Sequence, residues 1–211
     1  MLTGYVLAGG KSSRMGTSKA ALRLGETTFV RRAAAVLQSV AAARVHLVIN
    51  ESQREAIDFR FTNNQLLVDL LPERGALGGI HTALTHAQTG WAVILAVDYP
   101  FVTAELLVGL QRIAQTSAPE TAAVVPVQPD GRAQPLCAFY RVESCLSATA
   151  ELLADDSTPP ARELLKTVET RLVEFSEIKD LPNSALFFTN VNNAQDYEHA
   201  VKTYQQQYKS L

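Results

Sequence analysis

Residues 5–19 read Tyr5-Val6-Leu7-Ala8-Gly9-Gly10-Lys11-Ser12-Ser13-Arg14-Met15-Gly16-Thr17-Ser18-Lys19. The run Tyr5-Val6-Leu7 predicts a buried strand, whereas the loop after it has almost no apolar side chain to bury. Glycines let backbone N–H groups approach an anion closely, and consecutive N–H groups form a nest for it. Lys11, Arg14 and Lys19 add positive charge around that nest. The stretch therefore predicts a polyphosphate site at the end of a first strand.

Apolar runs and amphipathic stretches alternate along the rest of the chain. Strands are predicted at residues 45–49, 66–68, 93–97, 122–125, 135–140, 172–175 and 186–188. Helices are predicted at residues 77–87, 143–154, 160–168 and 193–207, and from Thr103 onward. Strand runs that are continuously apolar, rather than alternating, indicate a parallel sheet covered on both faces. We expect one α/β domain over residues 1–211, with a Rossmann-like, mostly parallel sheet and helices on both faces.

Composition narrows the functional class. The chain is 47% hydrophobic and 19% charged with a formal net charge of −2, which gives no basic footprint for nucleic acid. No run approaches the roughly 20 apolar residues of a membrane span, and no signal peptide is evident. Cys137 and Cys145 match no zinc or redox spacing and are expected to be core thiols. We expect a cytoplasmic protein without a nucleic-acid or membrane partner.

Three polar residues stand where predicted strands end, and ligands of open α/β sheets bind at those ends. Asp98 follows the most apolar run and could hold a hard cation together with phosphate oxygens, or instead cap the turn before Pro100. Asp69 follows the strand predicted at 66–68, and Asn50 follows the strand predicted at 45–49, where a simple strand-end turn would also explain it.

The motif L-A-G-G-x-S-x-R-M-G-x-x-K over residues 7–19 resembles the signature of nucleoside-triphosphate transferases, in particular the molybdenum cofactor guanylyltransferases. It fits neither G-x-x-x-x-G-K-[ST], because Tyr5 replaces the first glycine, nor G-x-G-x-x-G. Four further blocks resemble the family in the same order: 74–80 (R-G-A-L-G-G-I), 97–101 (V-D-Y-P-F), 134–136 (Q-P-L) and 190–192 (N-V-N). Ala76 stands where the family usually has proline.

The resemblance implies roles for individual residues. Nucleotide binding falls to Leu7, Ala8, Gly9, Gly10, Lys19, Asn50, Asp69, Gly75, Leu77 and Asp98. Asp69 could accept hydrogen bonds from guanine or from a ribose hydroxyl, and the sequence does not choose. Catalysis falls to Arg14, Lys19 and Asp98, with Asp98 also holding Mg²⁺. The face that receives the second substrate carries Gln134, Pro135, Asn190 and Asn192. For the two asparagines, capping of the last helix is an open alternative, which Asn192 or Asn193 could provide.

The resemblance also implies an activity. The chain would transfer GMP from GTP to the terminal phosphate of molybdenum-molybdopterin, releasing pyrophosphate, and its product would serve molybdoenzyme apoproteins. A cytidylyltransferase or another NTP transferase is the alternative, although Gly9-Gly10 favours the guanylyl branch because cytidylyl relatives more often read L-A-A-G. A non-catalytic cofactor chaperone of the same fold is disfavoured, since Lys19 and Asp98 are both present.

Overall fold

A computed structural model describes residues 2–9, 19–40, 44–54 and 64–208. Its strands are β1 (Leu2–Leu7), β2 (Arg23–Leu24), β3 (Thr27–Thr28), β4 (Arg44–Ile49), β5 (Asn64–Val68), β6 (Trp91–Ala96), β7 (Ala123–Pro126), β8 (Cys137–Arg141) and β9 (Thr170–Val173). Its α-helices are α1 (Phe29–Gln38), α2 (Gly75–Thr85), α3 (Ala104–Thr116), α4 (Val142–Leu152), α5 (Leu164–Thr167), α6 (Phe175–Ile178) and α7 (Ala194–Tyr208). Short 3₁₀ turns lie at Lys19–Ala21, Glu51–Gln53, Ala161–Glu163 and Ser184–Leu186.

Seven of these strands form one sheet in the order β5-β4-β1-β6-β8-β7-β9. Strands β5, β4, β1 and β6 run parallel, β8 is antiparallel to both of its neighbours, and β9 is parallel to β7. Val6 of β1 lies opposite Leu47 of β4 and Leu95 of β6. The carboxyl ends of the four parallel strands therefore meet along one side of the sheet, which we call the carboxyl edge.

Helices cover the sheet on both faces. Helix α1 packs on β1, β4 and β6 and contacts α3, whereas α2 packs on the same three strands and contacts α4. The core between them holds completely or almost completely buried large side chains, among them Tyr5, Phe29, Leu77, Ile94 and Phe139. Burying one such apolar side chain stabilises a fold by about 1.5–3 kcal/mol. The predicted Rossmann-like, mostly parallel sheet with helices on both faces is confirmed.

Two late stretches differ from the prediction. Strand β9 ends at Val173, and the Glu174 N–H donates to Glu177 Oε1 at 2.8 Å, so that Phe175 begins helix α6 instead of continuing the strand. Residues 186–188 are not a strand. Leu186 is the last residue of a 3₁₀ turn, and Phe187, which follows it, is completely buried. A run of three apolar residues shows no period, so it cannot distinguish a strand from a buried turn.

Within the described ranges, no helix is both long enough and apolar enough to cross a bilayer.

Candidate active site

The end of β1 passes very close to the end of β4. The Ala8 N–H donates to Val48 O at 2.9 Å, which continues the parallel pairing one residue beyond the strand. Gly9 then lies against the Asn50 side chain, so close that a Cβ on Gly9 would stand 3.3 Å from Asn50 Oδ1. Glycine is suited to this position because a side chain would push the two strand ends apart. The structure thus brings together Leu7, Ala8, Gly9 and Asn50, four residues of the predicted nucleotide site.

Lys19, which follows the glycine-rich stretch in sequence, lies beside Asp98, which comes after the end of β6. Its ammonium lies 3.5 Å from Asp98 Oδ2 and donates to Asn192 Oδ1 at 3.2 Å. Three segments that are distant in sequence therefore converge at the carboxyl edge. Gly10 and Arg14, which were predicted to belong to the same loop site, lie outside the described residues.

Among the described residues, the two carboxylate oxygens of Asp98 differ, because Oδ2 faces the Lys19 ammonium and Oδ1 has no hydrogen-bond partner. Its side chain is only 17% exposed, and Oδ1 is buried without a hydrogen-bond partner among the described residues. Asn190 Oδ1 is in the same condition. Burial raises the pKa of the Asp98 carboxyl above its ordinary value, while the Lys19 ammonium and the Asn190 amide act in the opposite direction. A buried, unpaired carboxylate oxygen is costly unless a ligand completes it, so this position suits a cation.

The described residues contain no cluster of three or more His, Cys, Asp or Glu side chains that could enclose a metal ion by themselves. Magnesium does not require such a cage, because it usually takes one or two carboxylates together with phosphate oxygens and water. The donors at the end of β6 are carboxylate and amide oxygens, which hard cations prefer. Asp98 therefore fits a magnesium ion that arrives with a phosphorylated ligand.

Asp69 stands at the end of β5 but is engaged differently. Its Oδ1 accepts hydrogen bonds from the Leu71 N–H at 3.1 Å and from the Thr82 hydroxyl at 2.8 Å. These bonds hold the turn after β5 against helix α2. The structure therefore gives one oxygen of Asp69 a structural role, and the predicted nucleotide contact would fall to the other oxygen.

The glycines that follow shape the start of α2. Gly75 has a φ of +64°, a left-handed conformation that favours glycine, and it is the first residue of the helix. A Cβ on Gly78 would lie 2.9 Å from Leu71 O, so close packing excludes any side chain there. The Leu77 side chain is completely buried in the core. Only the backbone of Leu77 remains available for its predicted contact with the nucleotide.

The asparagines before α7 divide their tasks. Asn193 Oδ1 accepts from the Asp196 N–H at 3.0 Å, and Asp196 Oδ2 accepts from the Asn192 N–H at 2.8 Å. Asn193 and Asp196 thus cap the helix. The side chains of Asn190 and Asn192 are left at the carboxyl edge, next to Asp98 and Lys19 respectively. Of the two residues predicted as possible caps of this helix, Asn192 and Asn193, the one whose side chain caps it is Asn193.

A family model described as the MobA-like NTP transferase domain matches residues 4–173, which include Lys19, Asp69 and Asp98. The chain belongs to this family. Two relatives named probable molybdenum cofactor guanylyltransferase are similar along most of their length. The one from Natronomonas pharaonis is 33% identical over 207 residues, covering 94% of this chain and 96% of its own. The one from Pelotomaculum thermopropionicum is 32% identical over 194 residues, covering 92% and 89%.

The fold has a solved counterpart. Molybdopterin-guanine dinucleotide biosynthesis protein A from Archaeoglobus fulgidus superposes with a TM-score of 0.77 at 24% identity, covering 97% of this chain and 100% of that chain. The family model and the curated relatives together identify this MobA-like protein as a nucleotidyltransferase.

On the side predicted to receive the second substrate, the side chain of Gln134 is turned inward in this MobA-like protein. The Tyr99 hydroxyl donates to Gln134 Oε1 at 2.7 Å, and Gln134 Nε2 donates to Arg132 O at 3.1 Å. Pro135 is half-buried, and its carbonyl accepts from the Tyr140 hydroxyl at 2.6 Å. The amide of Gln134 therefore has a partner at both ends within the protein.

Gln53 is a site residue that sequence reasoning missed. Its side chain is almost completely buried, Nε2 donates to Ala8 O at 3.1 Å, and Oε1 accepts from the Asn50 N–H at 3.0 Å. The side chain thus fastens Ala8, the first residue after β1, to the end of β4. The spacing Asn-x-x-Gln after a predicted strand is a capping-box pattern, which could have indicated Gln53.

Arg74 was also missed, although it opens the loop before α2. Its guanidinium donates to the backbone oxygens of Asp155 and Ser157 and to the Asp156 carboxylate at 3.1 Å. The block 74–80, which resembles the family, is therefore fastened to residues 155–157. Sequence offers no signal for this bond, because the partners are about eighty residues apart and two are backbone carbonyls.

Proposed function

We propose that this chain transfers GMP from GTP to the terminal phosphate of molybdenum-molybdopterin and releases pyrophosphate. The observation that carries the proposal is the convergence of Lys19, Asp98 and Asn192 at the carboxyl edge, with Lys19 Nζ 3.5 Å from Asp98 Oδ2 and 3.2 Å from Asn192 Oδ1. The names of the relatives with 33% and 32% identity support the choice of guanine and of a molybdenum cofactor as substrates.

The acceptor supplies its own nucleophile in this reaction. A terminal phosphate already carries the attacking oxygen, so no side chain needs to form a covalent intermediate. The two cysteines are not available as nucleophiles, because Cys137 and Cys145 are buried and burial raises the pKa of each thiol to about 12. Catalysis would therefore consist of positioning the two substrates and neutralising the charge that grows during transfer.

Different residues of the candidate site would contribute to positioning and to charge neutralisation. The backbone at Ala8 and Gly9, fixed by Gln53, would receive the nucleotide, and the Lys19 ammonium would neutralise charge on the α-phosphate and on the leaving pyrophosphate. Asp98 would hold Mg²⁺, since its buried Oδ1 has no partner among the described residues. Bound there, the ion would withdraw charge from the departing pyrophosphate.

The second substrate would approach from the side of Asn190 and Asn192. These amides lie on the same edge as Lys19 and Asp98, so a phosphate that they position would face the donor. The product, a guanine dinucleotide form of the cofactor, would then pass to molybdoenzyme apoproteins.

Thermal-shift measurements with the four nucleoside triphosphates test this proposal. With Mg²⁺ present, GTP should stabilise the protein most, and a hundredfold excess over the dissociation constant adds about 2.7 kcal/mol to the free energy of unfolding. The part of the shift that depends on Mg²⁺ should disappear in Asp98→Asn. A larger shift with CTP would replace the guanylyl assignment with the cytidylyl alternative, and equal shifts with all four nucleotides would contradict base selection altogether.

A further inference from the structure

Helix α7 docks on the hairpin formed by β2 and β3, which begins at Arg23, four residues after Lys19. The Tyr197 ring on α7 meets the Phe29 ring edge to face, with their centroids 6.1 Å apart. The Tyr197 hydroxyl donates to Arg23 O at 2.8 Å. This helix lies beyond residue 173, where the match to the family model ends, so that match assigns Tyr197 no task.

The residues at the start of α7 also meet the Lys19 side chain. Asn192 Oδ1 accepts from the Lys19 ammonium at 3.2 Å, and the Asn192 N–H donates to Asp196 Oδ2 at 2.8 Å. Asp196 immediately precedes Tyr197 in the first turn of the helix. The Lys19 ammonium and the Arg23 carbonyl are therefore both bound by the start of one helix.

The short segment between Lys19 and Arg23 closes a ring of contacts. The Leu22 N–H donates to Lys19 O at 3.1 Å, which completes the 3₁₀ turn that Lys19 begins, and Leu22 O accepts from the Phe29 N–H at 2.8 Å. Ala20 inside this turn is completely buried, so packing holds the segment as well as hydrogen bonds. We call this closed set of residues the Lys19 ring: Lys19, Leu22, Arg23, Asn192, Asp196 and Tyr197.

The Lys19 ring bears on the position of the Lys19 ammonium. A lysine head group ends a flexible stem of four carbons, so it stays in one place only when contacts fix it. Lys19 lies 3.5 Å from Asp98 Oδ2 in addition to its bond with Asn192. If α7 moved away from the hairpin, Asn192 would move with it, and the ammonium would lose one of these contacts.

We propose that Tyr197 is a positioning residue, whose hydroxyl holds α7 to Arg23 and thereby keeps the Lys19 ammonium at Asn192 and Asp98. The inference rests on the proposed function, because it takes Lys19 as the group that neutralises charge on the phosphates. Tyr197 would act without touching either substrate. A misplacement of about 1 Å can cost about a hundredfold in rate, so one hydrogen bond at this joint has a measurable effect.

Tyr204, on the same helix, provides a matched control. Its ring covers the turn of the hairpin, where a Cβ on Gly25 would stand 2.7 Å from the Tyr204 hydroxyl oxygen, and the Arg32 guanidinium lies 5.2 Å from the ring centroid. Tyr204→Phe and Tyr197→Phe each remove one hydroxyl where α7 meets the hairpin, and each keeps the aromatic ring. Tyr204 lies outside the Lys19 ring, so only Tyr197→Phe should disturb Lys19.

Trace acetylation of lysines, quantified by mass spectrometry on the full chain without nucleotide, tests the contact itself. The rate at Lys19 is divided by the rate at Lys166, which is exposed on the surface. Tyr197→Phe should raise this ratio roughly twofold to tenfold, the factor that corresponds to one net hydrogen bond. Tyr204→Phe should leave it unchanged. Asn192→Ala should also raise it, and Tyr197→Phe should add little in that background, because both variants break the same ring.

Kinetics of transfer from GTP test what the contact does. Tyr197→Phe should lower kcat roughly tenfold. The KM for GTP should change much less, because the charge that Lys19 faces grows during the transfer. In a Lys19→Met background, Tyr197→Phe should lower kcat no further, whereas a structural defect would add its own loss to that of Lys19→Met. Tyr204→Phe should keep both kinetic constants.

An unchanged labelling ratio in Tyr197→Phe would overturn the inference. Faster labelling of Lys19 with an unchanged kcat would overturn it as well, since Tyr197 would then hold Lys19 without serving the transfer. The labelling needs no nucleotide, so it decides on Tyr197 even when the wild-type protein forms no dinucleotide from GTP, an outcome that contradicts the proposed function alone. If CTP is the donor instead, the kinetic comparison is made with CTP.

Discussion

Asp98 and Asp69 follow buried parallel strands of the same sheet, yet their surroundings differ. At the end of β6, Asp98 faces Lys19 at 3.5 Å and keeps a buried oxygen without a partner among the described residues. At the end of β5, Asp69 uses one oxygen for two local hydrogen bonds, to the Leu71 N–H and the Thr82 hydroxyl. Within the described part of the chain, Asp98 keeps one oxygen without a hydrogen-bond partner, whereas Asp69 holds its own turn.

The difference shows what a strand end alone leaves undecided. Both positions meet the rule that ligands bind at the carboxyl edge of an open α/β sheet. What separates them is the supply of local donors. Thr82 on α2 gives Asp69 a partner, whereas Asp98 pairs with Lys19, which lies seventy-nine positions earlier in the chain. At Asp98 the fold leaves a buried oxygen without a partner among the described residues, and the proposed function uses that oxygen.

The largest expected effect is that of Asp98→Asn. The variant keeps the shape of the side chain and removes the charge, so transfer from GTP should fall by at least about a thousandfold, in line with the loss of a main electrostatic group. The free energy of unfolding should change little, because a buried carboxylate with a raised pKa adds little stability. Single-turnover kinetics with Mg²⁺ measure the first value and urea unfolding measures the second. Full, Mg²⁺-dependent activity in Asp98→Asn would remove Asp98 from the site.

Lys19→Met tests the other partner at the end of β6. The loss of one positioned charge should cost about 2–4 kcal/mol of transition-state stabilisation, seen as a fall in kcat/KM for GTP. Lys166→Met is the control, since Lys166 is exposed and pairs with Glu163 on the surface. Equal kinetics for the two variants would mean that Lys19 pairs with Asp98 for structural reasons only.

Asp69→Asn and Thr82→Val sharpen the other half of the comparison. Thr82→Val removes a buried hydroxyl bound to Asp69 and should cost about 1–3 kcal/mol of unfolding free energy without changing the affinity for GTP. Asp69→Asn should show a similar loss of stability. If Asp69 also contacts the nucleotide, its variant will raise the dissociation constant of GTP beyond that of Thr82→Val. Identical affinities in the two variants would restrict Asp69 to its structural role.

The strands and Asp98 were predictable because their signals are local. The apolar run over 93–97, and the run over 45–49 that only His46 interrupts, indicate buried elements, and the polar residue that ends each run is expected at an edge. The same reasoning reached Asn50 and Asp69. It could not tell that Thr82 would occupy Asp69, because that bond depends on where α2 packs.

Other parts of the site depend on side-chain direction. Gln134 looks like a polar residue available to a substrate, but the pairing of its backbone with Pro126 turns its amide inward to Tyr99. Gln53 lies in a polar stretch of sequence that predicts a surface residue. In the structure its side chain is buried and donates a hydrogen bond to the Ala8 carbonyl. Short runs such as 186–188 failed for a similar reason, since burial there comes from a turn rather than from sheet pairing.

The smallest expected effect is the pH dependence of the folding stability, which we attribute to His46 and His81 rather than to Asp98. Burial lowers the pKa of His46 and of His81, with the charges of Arg44 and His86 adding to the effect at His46 and Asp69 opposing it at His81. The folded state therefore binds fewer protons than the unfolded state, whose histidines titrate near about 6.5. The contribution of these two neutral histidines to the free energy of unfolding is fully present above that pH. It is lost as the pH falls below 6.5 and through the folded-state pKa values.

Urea unfolding between pH 7.5 and 5.5 checks this direction. The midpoint should decrease with acidification, and His46→Gln should flatten the decrease, whereas His199→Gln on the exposed face of α7 should leave it unchanged. A midpoint that rises on acidification would contradict the effect of burial on both histidines.

The central claim is tested most directly by a competition between GTP and CTP for one acceptor. The protein is incubated with Mg²⁺, molybdenum-molybdopterin and equal concentrations of the two nucleotides, and the dinucleotide products are separated and identified by mass. The proposed function requires the guanine dinucleotide to dominate, with pyrophosphate released in equal amount and with neither product formed by Asp98→Asn. A dominant cytosine dinucleotide, or no dinucleotide from the wild-type protein, would contradict it.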